Sequence, residues 1–229
     1  MRCRVSAMAL VYALVGLLGL PAALAAPNPA KLQLQSSSAL VMDVGTGKTL
    51  YQKNATRVRP IASITKLMTA LVVLDARQDL GQTLTIDQND RDAIKHTYSR
   101  VRMGTQVSRR DALHLALMSS ENRMASALAR HYPGGRPAFV RAMNNKAKQL
   151  GMRNSRFYDS TGLSTRNVST AQDLAKLIAA AYRQPLIREF TQDTSKDMRF
   201  RTPAYSLMFN NTNPLVKNPD WDVRLSKTG

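Results

Sequence analysis

Three short strings in this 229-residue chain carry side chains that could transfer an acyl group: Ser63-Ile64-Thr65-Lys66, Ser120-Glu121-Asn122 and Lys227-Thr228-Gly229. A serine hydroxyl is a poor nucleophile at neutral pH until a base takes its proton. Lys66 follows Ser63 by one helical turn, so on a helix its amine lies on the same face and within reach. To act as that base Lys66 must be neutral, a state favoured by burial and by a second cation nearby, for which Lys227 is the natural candidate. A helix starting at Ser63 would also offer free N–H groups to a developing oxyanion. Ser120 and Asn122, two apart on a link between helices, can face one cleft, one relaying a proton and one donating its amide to substrate. Lys227 and Thr228 on a strand edge would supply a cation and a hydroxyl for a substrate carboxylate, and Gly229 would allow close backbone approach.

The surrounding sequence predicts elements that put these strings where the chemistry needs them. Pro60, Ile61, Leu67, Met68, Leu71, Val72 and Leu74 have helical recurrence, with Pro60 at or just before the first turn and Ser63 near the N-terminus. Ser108 with Asp111 resembles a capping box that opens a second helix and delivers Ser119 and Ser120 to its far end. Further helices are predicted over about 122–130, over 137–150 closed by Gly151, and over 171–183 behind Thr170 with Asp173. Residues 38–43 and 50–53 around a Gly-rich turn read as a β-hairpin. Gly47-Lys48-Thr49 is not a phosphate-binding loop, because Met42 stands where the first glycine is required and a strand follows. After Pro185 the pattern reads as irregular and then extended, with 210–214 as a turn and Trp221 to Lys227 as a strand. Strands therefore lie at both ends and helices between, an α/β (α+β) arrangement of a mostly antiparallel sheet with a helical lobe and a cleft between the two.

Hydrophobic residues at 44% and charged residues at 21% suit a globular chain of one domain, or of two lobes. Arg2 and Arg4 precede an apolar run from Ala7 to Leu20 and a small-residue site at 21–26, the pattern of a secretory signal cut after Ala25. The run is shorter than the ~20 residues of a spanning helix. Residues 26–38 read as a loosely ordered lead-in and 39–229 as the folded domain. Cys3, the only cysteine, lies inside the signal, which leaves no thiolate for a disulfide or metal site. His96, His114 and His131 have no metal-ligand spacing, His114 reads as packed on an apolar helix face, and Met118, Met124 and Met143 read as core fillers. Neither a metal nor any other cofactor is expected. Loss of Arg2 and Arg4 lowers the formal charge from +18 to +16, still strongly basic. For an exported protein that charge points to an anionic envelope surface rather than to nucleic acid.

Each string is ordinary alone, but together, in this order, they are the set of penicillin-binding proteins and class A β-lactamases. With residues 114–123, His131-Tyr132-Pro133-Gly134-Gly135 and Asp159-Ser160-Thr161-Gly162-Leu163-Ser164, the chain from about Leu40 to Gly229 resembles the low-molecular-weight penicillin-binding proteins of the D-alanyl-D-alanine carboxypeptidase family, and within it the endopeptidase branch. The resemblance implies a β-lactamase/transpeptidase-like fold, a periplasmic location, peptidoglycan stem peptides as substrate and β-lactams as acylating inhibitors. It implies Ser63 as the acylated nucleophile, Lys66 as its base, and Ser120 and Asn122 as the second catalytic element. Lys227, Thr228 and Gly229 become the substrate-docking strand. Only the resemblance selects endopeptidase over carboxypeptidase. Family chains continue past this glycine into further strands and a second oxyanion donor, so a domain truncated after Lys-Thr-Gly, lacking its C-terminal strands, is the expectation here. Two alternatives remain: a class A-like β-lactamase, which would need a dedicated glutamate where only Glu121 and Glu189 exist, and a non-catalytic binder of peptidoglycan.

Overall fold

The computed structural model describes residues 32–229. The secretory-signal expectation lies outside these residues. Strands β1 (Ala39–Met42) and β2 (Thr49–Lys53) form the expected hairpin, turned by the Asp43 side chain, which accepts from the Thr46 N–H at 2.7 Å. Strand β3 (Arg59–Pro60) leads into a 3-10 turn, Ala62–Ile64, and then helix α1 (Thr65–Asp75). Ser63 thus sits in the tight turn before α1. Nine of the eleven α1 residues, Thr65 to Val73, are buried, as in a helix enclosed on all sides. Packed around it are α2 (Arg109–Met118), α3 (Asn122–Arg130), α4 (Gly135–Gln149) and α5 (Ala171–Tyr182).

Local signals set several of these boundaries. The Ser108 hydroxyl accepts from the Asp111 N–H at 3.0 Å and donates to the Asp111 carboxylate at 2.7 Å, which starts α2. Thr170 caps α5 in the same way through the Asp173 N–H at 3.1 Å. Helix α4 begins two residues before Pro137, which is tolerated because first-turn N–H groups have no helical partner. Met118, Met124 and Met143 lie in the core, as expected of methionines that fill gaps.

Two readings of the C-terminal third need correction. The stretch after Pro185 is helical, not irregular: α6 (Pro185–Gln192) starts on its proline, and Ile187, Phe190 and Thr191 form its buried face. Trp221 to Lys227 is not a strand among the described residues. No neighbouring backbone forms a ladder with it, and the Arg224 carbonyl is held instead by the Gln192 side-chain amide at 2.7 Å. The remaining strands are β4 (Thr83–Thr85), β5 (Gln106–Ser108), β6 (Val168–Ser169), β7 (Ser195–Arg201) and β8 (Ala204–Asn210). Among the described residues every pairing is antiparallel, in four two-stranded ladders: β1–β2, β3–β6, β4–β5 and β7–β8. In β7, Met198 and Phe200 alternate into the core, the period-2 pattern of a half-buried strand.

Candidate active site

The start of α1 is held from above by the loop 159–164. Gly162, at φ +84°, lies against the Ala62 carbonyl, where an added Cβ would come within 1.9 Å of the oxygen, so no other residue fits. The Asp159 carboxylate shapes this loop by accepting from the N–H groups of Thr161 (2.6 Å), Gly162 (2.7 Å) and Ser164 (2.9 Å) and from the Thr161 hydroxyl (2.7 Å). Its effect is to aim the Thr161 carbonyl at Lys66.

Lys66 is 1% exposed and uses its whole ammonium. Nζ lies 2.9 Å from Ser63 Oγ, 2.8 Å from Asn122 Oδ1 and 2.7 Å from the Thr161 carbonyl oxygen. Two of these three partners can only accept, whereas the serine hydroxyl can also donate. When Lys66 loses a proton, its two remaining N–H bonds stay with Asn122 and Thr161, and the lone pair is left facing Ser63 Oγ. Burial, reinforced by the charge of Lys227 and opposed by those of Glu121 and Asp159, lowers the Lys66 pKa from 10.5 to about 7.

The amide of Asn122 is oriented in turn. Its Nδ2 donates to Thr97 Oγ1 at 3.1 Å, and that hydroxyl donates to Asp92 at 2.7 Å. Thr97 Oγ1 must therefore accept from Asn122, which leaves Oδ1 for Lys66. Burial opposes the charge of Asp92, but the N–H groups of Lys95, Thr97 and Ile94 and the Thr97 hydroxyl outweigh it and hold the carboxyl at about 2.

Lys227 Nζ lies 3.0 Å from Ser120 Oγ and 2.8 Å from the Thr228 carbonyl oxygen, and burial lowers its pKa to about 8. Thr228 Oγ1 is 2.7 Å from Thr212 Oγ1. At Gly229 a Cβ would stand 3.1 Å from Ile64 Cγ1 and 3.4 Å from the Ile61 carbonyl oxygen, so the last residues pack on the turn that carries Ser63. Ser63, Lys66, Ser120, Asn122 and Lys227 thus form one cluster, through the contacts of Lys66 and Lys227 and the charge of Lys227 felt at Lys66, with Thr228 and Gly229 next to it in the chain.

Asn167, fully buried, fixes the base of the cleft: its Nδ2 donates to Thr65 Oγ1 (3.1 Å) and the Asp159 carbonyl (2.9 Å), and its Oδ1 accepts from the Tyr158 N–H (2.7 Å). Sequence reasoning assigned no role to Asn167, Thr97, Asp92 or Asp159. Only the Asp159-Ser160-Thr161-Gly162 string carried a usable signal, since an Asp followed by N–H groups two and three residues on is an Asx-type turn.

Other candidates lie elsewhere. His114 stacks on Phe190, with ring centroids 4.3 Å apart, and its Nε2 is 2.8 Å from Asp193, consistent with a packed role. Glu189 pairs with Arg110 at 2.7 Å on the α2–α6 face, and Glu121 caps α3 through the Arg123 N–H at 3.1 Å. Neither stands as the free glutamate that a class A β-lactamase requires. Among the described residues, no group of three or more His, Cys, Asp or Glu side chains gathers as a metal ion would need.

A serine and a buried lysine at the start of a core helix, with a second serine, an asparagine and a second lysine across from them, mark the transpeptidase-like class of serine acyl-transfer folds. A sequence profile described as D-alanyl-D-alanine carboxypeptidase matches residues 23–229, and the chain belongs to that family. It is 52% identical over 201 residues to a D-alanyl-D-alanine endopeptidase of Pseudomonas aeruginosa, covering 88% of this chain and 65% of the relative. Identity to the D-alanyl-D-alanine endopeptidase of Escherichia coli is 50% over 205 residues, covering 90% of this chain and 66% of that one. The crystal structure of a Streptomyces DD-transpeptidase superposes with a TM-score of 0.75 at 29% identity, covering 82% of this chain and 78% of that one. The chain thus spans about 65% of the length of the curated relatives it matches.

Proposed function

We infer that the protein is a serine-type D-alanyl-D-alanine peptidase that cleaves peptidoglycan stem peptides in the periplasm, after export on the signal at residues 1–25. The endopeptidase reaction, hydrolysis of D-alanyl cross-links, is the preferred form because the relatives identical at half of the aligned positions carry that name. The observation that carries the reading is the coordination of Lys66. An amine brought to about 7, with two acceptors fixed on it and its third position on a serine, is arranged to take that serine's proton.

In this reaction Ser63 Oγ attacks the carbonyl carbon of D-alanine as Lys66 Nζ takes the hydroxyl proton, giving a tetrahedral oxyanion. The C–N bond then breaks, and the departing amine receives a proton through Ser120, which Lys227 contacts at 3.0 Å. The ester on Ser63 is hydrolysed by water, which restores the serine. Lys227 and Thr228 hold the substrate carboxylate. A β-lactam enters the same sequence, but its amine stays tethered to the acyl group and the ester persists.

The test is acylation by a labelled penicillin with mass mapping, set beside a Ser63→Ala control. Label on Ser63 that is absent from the control is the expected result. A chain that circular dichroism shows to be folded and that takes no label would overturn the reading in favour of a non-catalytic binder. Release of monomers from a cross-linked muropeptide dimer, against release of free D-alanine from a pentapeptide, separates endopeptidase from carboxypeptidase.

A further inference from the structure

A cavity of about 770 Å³ lies between α4 and the segment 151–158, and neither Ser63 nor Lys66 lines it. Arg141, Lys148, Arg153 and Arg156 stand exposed around it, and among the described residues no carboxylate lines it. Its floor is apolar, formed by Ala147, Met152 and Phe157. This cavity shares wall residues with one that borders Asn122. Val140 and Tyr158 line both it and a smaller cavity of about 240 Å³ whose opposite wall includes Asn122 and Thr161.

Tyr158 is fixed at the junction, with the Arg166 guanidinium 3.7 Å and that of Arg156 5.3 Å from its ring centroid. The carboxylates of the smaller cavity are all engaged. Asp90 pairs with Arg130 at 2.6 Å and Arg136 at 3.2 Å, while Asp92 and Asp159 are held by the loop N–H groups that wrap them. An anionic chain running from Asn122 and Thr161 past Tyr158 would therefore meet satisfied acids and reach four cations.

We propose that the cavity ringed by Arg141, Lys148, Arg153 and Arg156 is a secondary site that binds the carboxylate-bearing peptidoglycan strand whose peptide lies in the Ser63 cleft. This deepens, and rests on, the peptidase reading. A polymer substrate gives each cleavage event a long flanking segment, and binding that segment raises the local concentration of scissile peptides at the serine. The carboxylates of the strand match the cations in sign, and the apolar floor accommodates its methyl and methylene groups. The remaining basic surface contributes only the diffuse attraction that any strongly cationic protein has for an anionic polymer.

The test is co-sedimentation with purified insoluble peptidoglycan in a Ser63→Ala background, which binds without cleaving. It compares the Arg141→Glu/Lys148→Glu/Arg153→Glu triple with a triple of equal charge change on other exposed positions, Arg183→Glu/Arg199→Glu/Arg201→Glu. The cavity triple should weaken binding tenfold or more and the matched triple by no more than about threefold. The neutral pair Arg141→Gln/Lys148→Gln, both exposed on α4, should still cost threefold or more and keeps the test valid if the triple fails to fold. Equal losses in the two triples, or no loss in the neutral pair, would overturn the proposal. Retained peptidoglycan binding with lost binding to phosphatidylglycerol vesicles would overturn it in favour of a membrane surface. Penicillin labelling of the Ser63-intact chain is scored separately: cavity-dependent sedimentation without labelling would refute the peptidase reading and leave the polymer site standing.

Discussion

If Lys66 is the base for Ser63, the pH dependence of acylation must follow the charges around Lys66, and these act in opposite directions. With its pKa at about 7, Lys66 is half neutral at pH 7, about one-tenth neutral a pH unit lower and about one-hundredth neutral at pH 5. The second-order rate of acylation should therefore fall about fiftyfold from pH 7 to pH 5. Lys227, at about 8, must stay protonated to hold the β-lactam carboxylate, so the profile should fall again on the alkaline side. The two limbs belong to an interacting pair rather than to either amine alone.

Lys227→Met removes the charge that depresses Lys66, so the acid limb should move to higher pH, by up to about one unit since burial remains the larger cause. Glu121→Gln removes a charge that raises Lys66, so the limb should move to lower pH. Gln keeps a side-chain oxygen to cap the Arg123 N–H, so α3 is undisturbed. The assay is in-gel fluorescence of a labelled penicillin, quenched over time between pH 5 and 9 at constant ionic strength, with Ser63→Ala as blank. The absolute rate of Lys227→Met also drops, but the position of its limb is independent of that drop. Limbs that stay in place, or that shift in the same direction in both variants, would refute Lys66 as the titrating base.

Four further outcomes follow from the packing. Gly162→Ala drives a methyl into the Ala62 carbonyl at a positive φ, so acylation should slow by about a hundredfold or more, with the loss visible in thermal melts as a few kcal/mol. Asn167→Ala leaves the Thr65 hydroxyl and three backbone groups at positions 158 and 159 without this partner, and calorimetry should show a loss of roughly 2–4 kcal/mol. Because the folded pKa of Lys66 lies below its ordinary 10.5, the unfolded chain binds more protons between pH 7 and 10.5; wild-type stability should rise across that window, and Lys66→Met should flatten the rise in urea titrations at pH 7 and 9. Phe190→Ala removes a fully buried ring stacked on His114 and should cost about 3–5 kcal/mol in denaturant titration, while the folded fraction still takes penicillin label at an unchanged rate.

How far the sequence revealed this site depends on how far along the chain each partner lies. Ser63 and Lys66 are legible because one helical turn brings them together whatever the rest of the fold does. The caps at Ser108 and Thr170 are legible for the same reason, each needing only a residue three positions on. Helix α6 was obscured because Pro185 reads equally well as a stop or a first helical residue, and the apolar recurrence that decides between them, Ile187 and Phe190, occupies only two turns. The strand expected at 221–227 failed for a different reason: strandedness is a property of a pair, and an extended pattern carries no information about whether another backbone lies beside it. The acceptors that give Lys66 its direction are the least legible of all, since Asn122 is 56 residues away, Thr161 is 95, and the Asn167 contact that anchors Thr65 spans 102. A Ser-x-x-Lys string without such acceptors is an exposed helical lysine near a cap. What makes this one a candidate base is a carbonyl and an amide oxygen that occupy two of the three positions on Nζ and leave the third to the serine.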